Sequence, residues 1–181
     1  MSRIDRLLDS FRRHISVPWK EDAAPMQRVI FCVYDQEDEL RLRANIDEFE
    51  LATRQVGYEW ALSDLTDTFA CWMSGHRYAE SYFRHPQRLP MDGYLKYINQ
   101  EFAAVVQDAG VGRDHVVALK GVGSLFGLLK VKEVVDQLAP LVTGRLLVFF
   151  PGSFEDNNYR LLDGYDGWNY LAVPITADRE Y

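Results

Sequence analysis

No stretch of this chain approaches the roughly 18 consecutive apolar residues that a membrane span needs, and the sequence therefore predicts a soluble protein with no membrane contact. Cysteine is scarce. Cys32 stands inside an apolar run and Cys71 beside Trp72, so the two supply neither a disulfide framework nor a Cys-x-x-Cys ligand pair. That usage predicts reduced core thiols and a cytoplasmic address. The opening Met1-Ser2-Arg3-Ile4-Asp5-Arg6 interleaves charges with apolar residues, unlike the continuous apolar core of a secretory signal. An excess of Lys and Arg is missing too. Phosphate neutralisation supplies most of the affinity of nucleic-acid binders, and a formal net charge of −7 argues against tight direct DNA binding. His14, His76, His85 and His115 are scattered, which predicts no metal site.

Catalytic signatures are absent as well. A Walker loop places Lys after its glycines so that the ammonium reaches the outer phosphates, whereas Lys120 here precedes Gly121 and Gly123. Gly121, Gly123 and Gly127 are spaced Gly-x-Gly-x-x-x-Gly, one residue too long for the dinucleotide fingerprint, and they follow the third predicted strand instead of the first. Phe150-Pro151-Gly152-Ser153-Phe154 is not the Gly-x-Ser-x-Gly nucleophile elbow. The residues thus predict a protein that is not an enzyme and needs no cofactor.

What is present is a regular alternation of strand and helix patterns. Ile4, Leu7, Leu8, Phe11 and Ile15 recur at helical spacing, with arginines on the other positions, giving an amphipathic first helix at about 2–15. Residues 18–25, bracketed by prolines, read as a linker. Residues 28–34 form a continuous β-prone apolar run, the pattern of a strand covered on both faces. A helix from Asp38 to Gln55 with Leu42, Ile46, Phe49 and Thr53 on its inner face leads through Gly57 to a strand at 58–62. Asp64 or Ser63 can cap a short helix to about Met73, and a further helical turn is expected at 78–84. Asp92 can cap a helix reaching Ala109, with Leu95, Ile98, Phe102, Val105 and Ala109 inward. Strands follow at 114–119, 145–150 and 169–173, the first two separated by a helix over 125–138.

At roughly 100 to 200 residues per domain, the 181 residues predict one domain, 1–181. Its fold class is α/β: an open, mostly parallel sheet of about five strands with helices on both faces, Rossmann-like or P-loop-like without a Walker motif.

Two groups of residues are candidate sites. Lys120, Gly121, Gly123 and Ser124 lie between a strand and a helix, where free backbone amides can receive an anion; the simpler reading is a tight turn with Ser124 as a helix N-cap. Asp35 and Asp64 can join them at the carboxyl edge of the sheet, although helix capping accounts for both more simply. The segment from Phe154 to Tyr170 is a polar loop holding Glu155, Asp156, Asn157, Asn158, Tyr159, Arg160, Asp163, Tyr165, Asp166 and Trp168. Tyr, Trp and Arg are enriched at binding hot spots, which makes Tyr159, Arg160 and Trp168 candidate partner-binding residues against the alternative of an ordinary decorated loop. The arginine-rich side of the first helix can bind an acidic partner or simply face solvent.

Lys120-Gly121-Val122-Gly123-Ser124-Leu125-Phe126, Leu147-Val148-Phe149-Phe150-Pro151-Gly152-Ser153-Phe154 and Tyr159-Arg160-Leu161-Leu162 resemble the BrxB family, as does the acidic Tyr34-Asp35-Gln36-Glu37-Asp38-Glu39-Leu40. The likeness runs along the chain in order and is weakest from Arg54 to Pro90. It implies an accessory component of BREX, a phage-defence system that methylates host DNA and blocks phage replication. It also implies action by association, with the alkaline-phosphatase-like PglZ as leading partner and the BREX ATPase and methyltransferase in a larger complex. A phosphate- or nucleotide-binding regulatory subunit built on the Gly121 to Ser124 turn is the second expectation.

Overall fold

The computed structural model describes residues 1–165 and 167–178. Helix α1 (Arg3–Ile15) starts at a reciprocal cap, in which Ser2 Oγ accepts from the Asp5 amide at 3.1 Å and the Asp5 carboxylate accepts from the Ser2 amide at 2.7 Å. It buries the expected stripe of Ile4, Leu7, Leu8, Phe11 and Ile15. Strand β1 (Val29–Tyr34) follows with every residue buried, because helices cover both of its faces. The helix expected from Asp38 to Gln55 is split into α2 (Glu39–Ala44) and α3 (Ile46–Gln55). Asn45 parts them by donating its side-chain amide to the Arg41 carbonyl at 2.8 Å, which competes with the next helical turn. Leu42, Ile46, Phe49 and Thr53 still face inward together.

After β2 (Glu59–Asp64) come two short helices, α4 (Thr68–Ser74) and α5 (Ala79–Arg84), and the long α6 (Met91–Asp108). Pro90 occupies the cap position of α6 and Asp92 lies inside the first turn, so Asp92 is not the N-cap expected of it. The inner face of α6 is Tyr94, Ile98 and Phe102; Val105 is half-buried and Ala109 exposed, correcting the far end of the expected stripe.

Strand β3 (His115–Lys120) leads through a 3₁₀ turn at Val122–Leu125 to α7 (Val131–Leu138). The helix expected from Leu125 does not form there, because Gly127 takes φ 76°, outside the right-handed helical region. Strand β4 (Arg145–Glu155) runs well past Phe150 and turns through Asp156 and Asn157, both at positive φ, into β5 (Asn158–Leu161). Strands β6 (Trp168–Asn169) and β7 (Val173–Ile175) replace the single last strand expected at 169–173. The expected polar loop is therefore largely an antiparallel β4–β5–β6 unit. Asp166, counted in that loop, lies outside the described residues.

The main sheet is parallel and open, in the order β2-β3-β4-β1-β7. Its layers are those expected, but its order is not the 3-2-1-4-5-6 of dinucleotide-binding folds. The chain leaves β1 for the far edge at β2 and then returns through β3 and β4. Right-handed crossovers in opposite directions put their helices on opposite faces. Accordingly Ile30, Cys32, Val116, Ala118, Leu147 and Phe149 pack against α1 and α3. Phe31, Val33, Val117, Leu119, Val148 and Phe150 pack against α6 and α7. Cys32 is a buried core thiol as expected, whereas Cys71 is exposed. Among the described residues no helix is long and apolar enough to cross a membrane.

Candidate functional site

Ligands of open α/β sheets usually bind beyond the carboxyl ends of the strands. Here that edge is a chain of polar groups running across three strands. Lys120 Nζ, at the end of β3, lies 3.5 Å from the Asp64 carboxylate at the end of β2. Asp64 accepts from the Thr66 amide at 2.9 Å and the Thr66 hydroxyl at 2.5 Å, and Thr66 Oγ1 accepts from Arg43 at 2.9 Å. Arg43 also donates to Glu39 at 2.6 Å, and Glu39 accepts the Tyr34 hydroxyl from the end of β1. Partial burial pushes the Asp64 carboxyl up, but the two Thr66 bonds and the charges of Lys120 and Arg43 outweigh it and hold Asp64 below the usual carboxylate range. Burial, then Glu39, drives the Tyr34 phenol far above its usual value, so that it acts as a hydrogen-bond donor.

Asp64 is thus the end of a strand and the partner of Lys120, not the helix cap expected. Asp35 does act as a cap, accepting from the Glu37 amide at 2.9 Å at the start of a 3₁₀ turn. The sequence motif after β3 has a direct geometric meaning. Gly121 sits at φ 80°, and a Cβ there would lie 2.6 Å from both Thr66 N and Thr66 Oγ1, so the turn after β3 can meet the turn after β2 only through a glycine. A Cβ at Gly123 would meet Pro151 at 3.4 Å, an ordinary contact. The Ser124 hydroxyl donates to the carbonyls of Leu65 at 3.0 Å and Gly121 at 2.6 Å, tying the two turns together; it caps no helix, and the cap position of α7 is Lys130.

Lys120, Gly121, Gly123 and Ser124 do come together at this edge, with the Lys120 charge answered by Asp64 and the Ser124 hydroxyl committed to backbone carbonyls. The neighbouring turn after β1 adds Asp35, Glu37 and Asp38, whose carboxylates lie 3.6, 3.9 and 2.7 Å from the Arg3 guanidinium. Other arginines of α1 are engaged within the chain as well: Arg6 meets Asp178, and Arg12 meets Asp9 and Glu48. Arg3, Arg6 and Arg12 of the first helix therefore bind this chain's own acids, while the exposed Arg13 donates to Ser10 at 3.1 Å.

The partner-binding candidates separate into different environments. Tyr159 is fully buried, with its ring 4.6 Å from Phe31 and its hydroxyl donating to the Ala172 carbonyl at 3.2 Å; it fastens the hairpin to the sheet and is not the exposed loop residue expected. Trp168 is half-buried against Phe31, Phe150 and Tyr170. Arg160 is exposed and lies beside Gly167.

A groove of about 480 Å³ opens next to Trp168. Phe126, Leu128 and Leu129, from the loop before α7, form one side, and Leu161 and Trp168 of the hairpin form the other, with exposed Lys130 and Lys132 at the rim. Phe126 is 49% exposed in a position that leaves an aromatic ring open to solvent. Sequence reasoning placed Phe126 to Lys132 inside a helix and so missed this surface. The available signal was Gly127, at which a helix is weakened by maximal backbone freedom.

A family model for the BREX protein BrxB matches residues 76–174, more than half of the chain. The match takes in the Lys120 turn, the β4–β5 hairpin and the whole groove, while Tyr34 to Leu40 lies outside it. No curated protein and no solved structure matches the chain.

Proposed function

The chain belongs to the BrxB family and is a component of the BREX phage-defence system, and on that footing we propose that it is a non-catalytic adaptor that acts by binding other BREX proteins. PglZ is the leading partner, with the BREX ATPase and methyltransferase reached through the same assembly. The observation that carries this reading is the apolar groove between Phe126 and Trp168, which lies within the matched segment. Aromatic and aliphatic side chains around a concave surface are the usual anchors of a stable interface, and a small number of them supplies most of its energy. Lys130 and Lys132 enter no ion pair among the described residues. They suit a partner segment that inserts an apolar side chain and carries a carboxylate beside it.

The test is co-purification of this chain, tagged at one end, from cells expressing the complete BREX gene set. The adaptor reading expects PglZ to be retained at near-equal amount and to be lost when Phe126 and Leu129 are both replaced by Asp. Recovery of the tagged chain without any BREX component would overturn it. So would turnover by the isolated chain that disappears on replacing one of its polar residues.

A further inference from the structure

The amino edge of the sheet holds a cation that no acid among the described residues answers. Arg145, the first residue of β4, is 6% exposed. Its guanidinium sits 4.8 Å over the Trp19 ring, which itself stacks on Tyr58 at 3.6 Å. It donates to the carbonyls of Gly144 at 3.2 Å and Lys20 at 2.8 Å, two neutral acceptors. Arg28, just before β1, is a like charge that acts on it. Burial first, and then Arg28, lower the Arg145 pKa, with only the Tyr58 hydroxyl acting the other way. The Arg28 Nε is itself buried without a hydrogen-bond partner. The His14 pKa is lowered by burial and then by Arg145, and an imidazole carries no negative charge in either form. The acids of the adjoining loop do not fill the gap: Glu21 is turned to Arg113 at 3.8 Å, and Asp22 is exposed.

A guanidinium cannot escape burial by losing its proton, and an unneutralised buried charge is unfavourable. Arg145 has five N–H donors, and the two carbonyl bonds leave donors unused. It also lines a cavity of about 410 Å³ together with His14, Trp19, Lys20, Gln27 and Ile30. That volume lies in the range of roughly 300–1,000 Å³ typical of small-molecule sites.

We propose that this cavity, between the end of α1, the 16–27 loop and the amino ends of β1, β4 and β7, binds the phosphate group of a small phosphorylated molecule. The phosphate would take the free N–H groups of Arg145, with Lys20 at the mouth. A planar guanidinium matches phosphate oxygens, and a doubly charged anion suits Arg145 and Lys20 together better than a single carboxylate does. This site lies at the opposite edge of the sheet from Lys120, and it stands independently of the adaptor reading.

The test is a thermal-shift and calorimetric titration of the full chain with inorganic phosphate and with pyrophosphate, against chloride at matched ionic strength. Saturable binding with a raised Tm is expected in the wild type and in Lys120→Ala, with affinity weakened about tenfold or more in Arg145→Gln, since a charge-assisted bidentate contact is lost. Lys20→Ala, at the exposed mouth, is the second variant should Arg145→Gln fail to fold, and a several-fold weakening is expected there. A wild type that responds to phosphate no more than to chloride would overturn the proposal. Equal binding by the wild type and the folded amino-edge variants would do the same.

Discussion

The two edges of the sheet handle buried charge in opposite ways. At the carboxyl edge, Lys120 and Arg43 stand against Asp64 and Glu39 in one connected chain of bonds, and Gly121 lets the turns after β2 and β3 close over each other. At the amino edge, Arg145 is buried against neutral acceptors, feels the charge of Arg28 and has no ion-paired carboxylate among the described residues, and it lines an open cavity. The usual ligand-binding edge of an open α/β sheet is thus self-satisfied here. What it leaves exposed is an apolar groove suited to a protein, whereas the unsatisfied cations sit at the other end.

The large expected effects test whether the carboxyl edge is closed as tightly as the geometry says. Gly121→Ala should lower unfolding free energy by about 2–4 kcal/mol, from a strained φ and from a Cβ forced onto the Thr66 backbone. Gly123→Ala should stay within about 1 kcal/mol, because the added methyl meets only Pro151 at an ordinary distance. Urea titrations of the two variants measure this directly, and equal losses would mean that the two turns do not meet as described. The hairpin that grows from the same edge gives a second contrast. Tyr159→Ala should cost about 3–5 kcal/mol as a core truncation, while Arg160→Ala should change stability by no more than about 0.5 kcal/mol.

A smaller effect distinguishes the two edges by sign. In phosphate-free buffer, Arg145→Met should be neutral or raise stability by about 1 kcal/mol, since it replaces an unneutralised buried charge with an apolar side chain. Lys120→Met should lower stability by up to about 1 kcal/mol by leaving Asp64 without its partner, a modest figure because both groups are partly exposed. Losses of similar size at both positions would erase the distinction. The smallest effect is on pH dependence. The folded Asp64 pKa is depressed, so its stabilisation is complete above the unfolded value near 3.9 and is lost as pH falls through the lower folded value. Asp64→Asn should accordingly flatten the acid limb of a stability-versus-pH profile and leave the neutral region nearly unchanged in slope.

How much of this could be read from the residues depended on how local the cause was. The run from Val29 to Tyr34 announces a two-face-covered strand by itself, and Ile4 to Ile15 announces an amphipathic helix, because period and burial are the same fact in each. The hairpin was hidden: Asn157, Asn158, Tyr159 and Arg160 have the composition of a surface loop, and only the aromatic cluster of Phe31, Phe150 and Trp168 makes Tyr159 a core residue. Asp64 carried the composition of a helix cap, and its true partner, Lys120, comes from another strand. The Gly121 requirement was legible as a glycine but not as a contact with Thr66. Arg145 looked like an ordinary strand opening, and its burial depends on Trp19 and Lys20, which reach it from the far end of the chain.

The central claim, that this BREX component works by docking through its carboxyl-side groove, is tested most directly by gel filtration of the purified chain mixed with purified PglZ. The account predicts one co-eluting peak for the wild type and for Arg145→Gln, and separate peaks for a folded Phe126→Asp, Leu129→Asp double variant. Co-elution of that double variant as tight as the wild type, or a wild type that never joins PglZ, would contradict it.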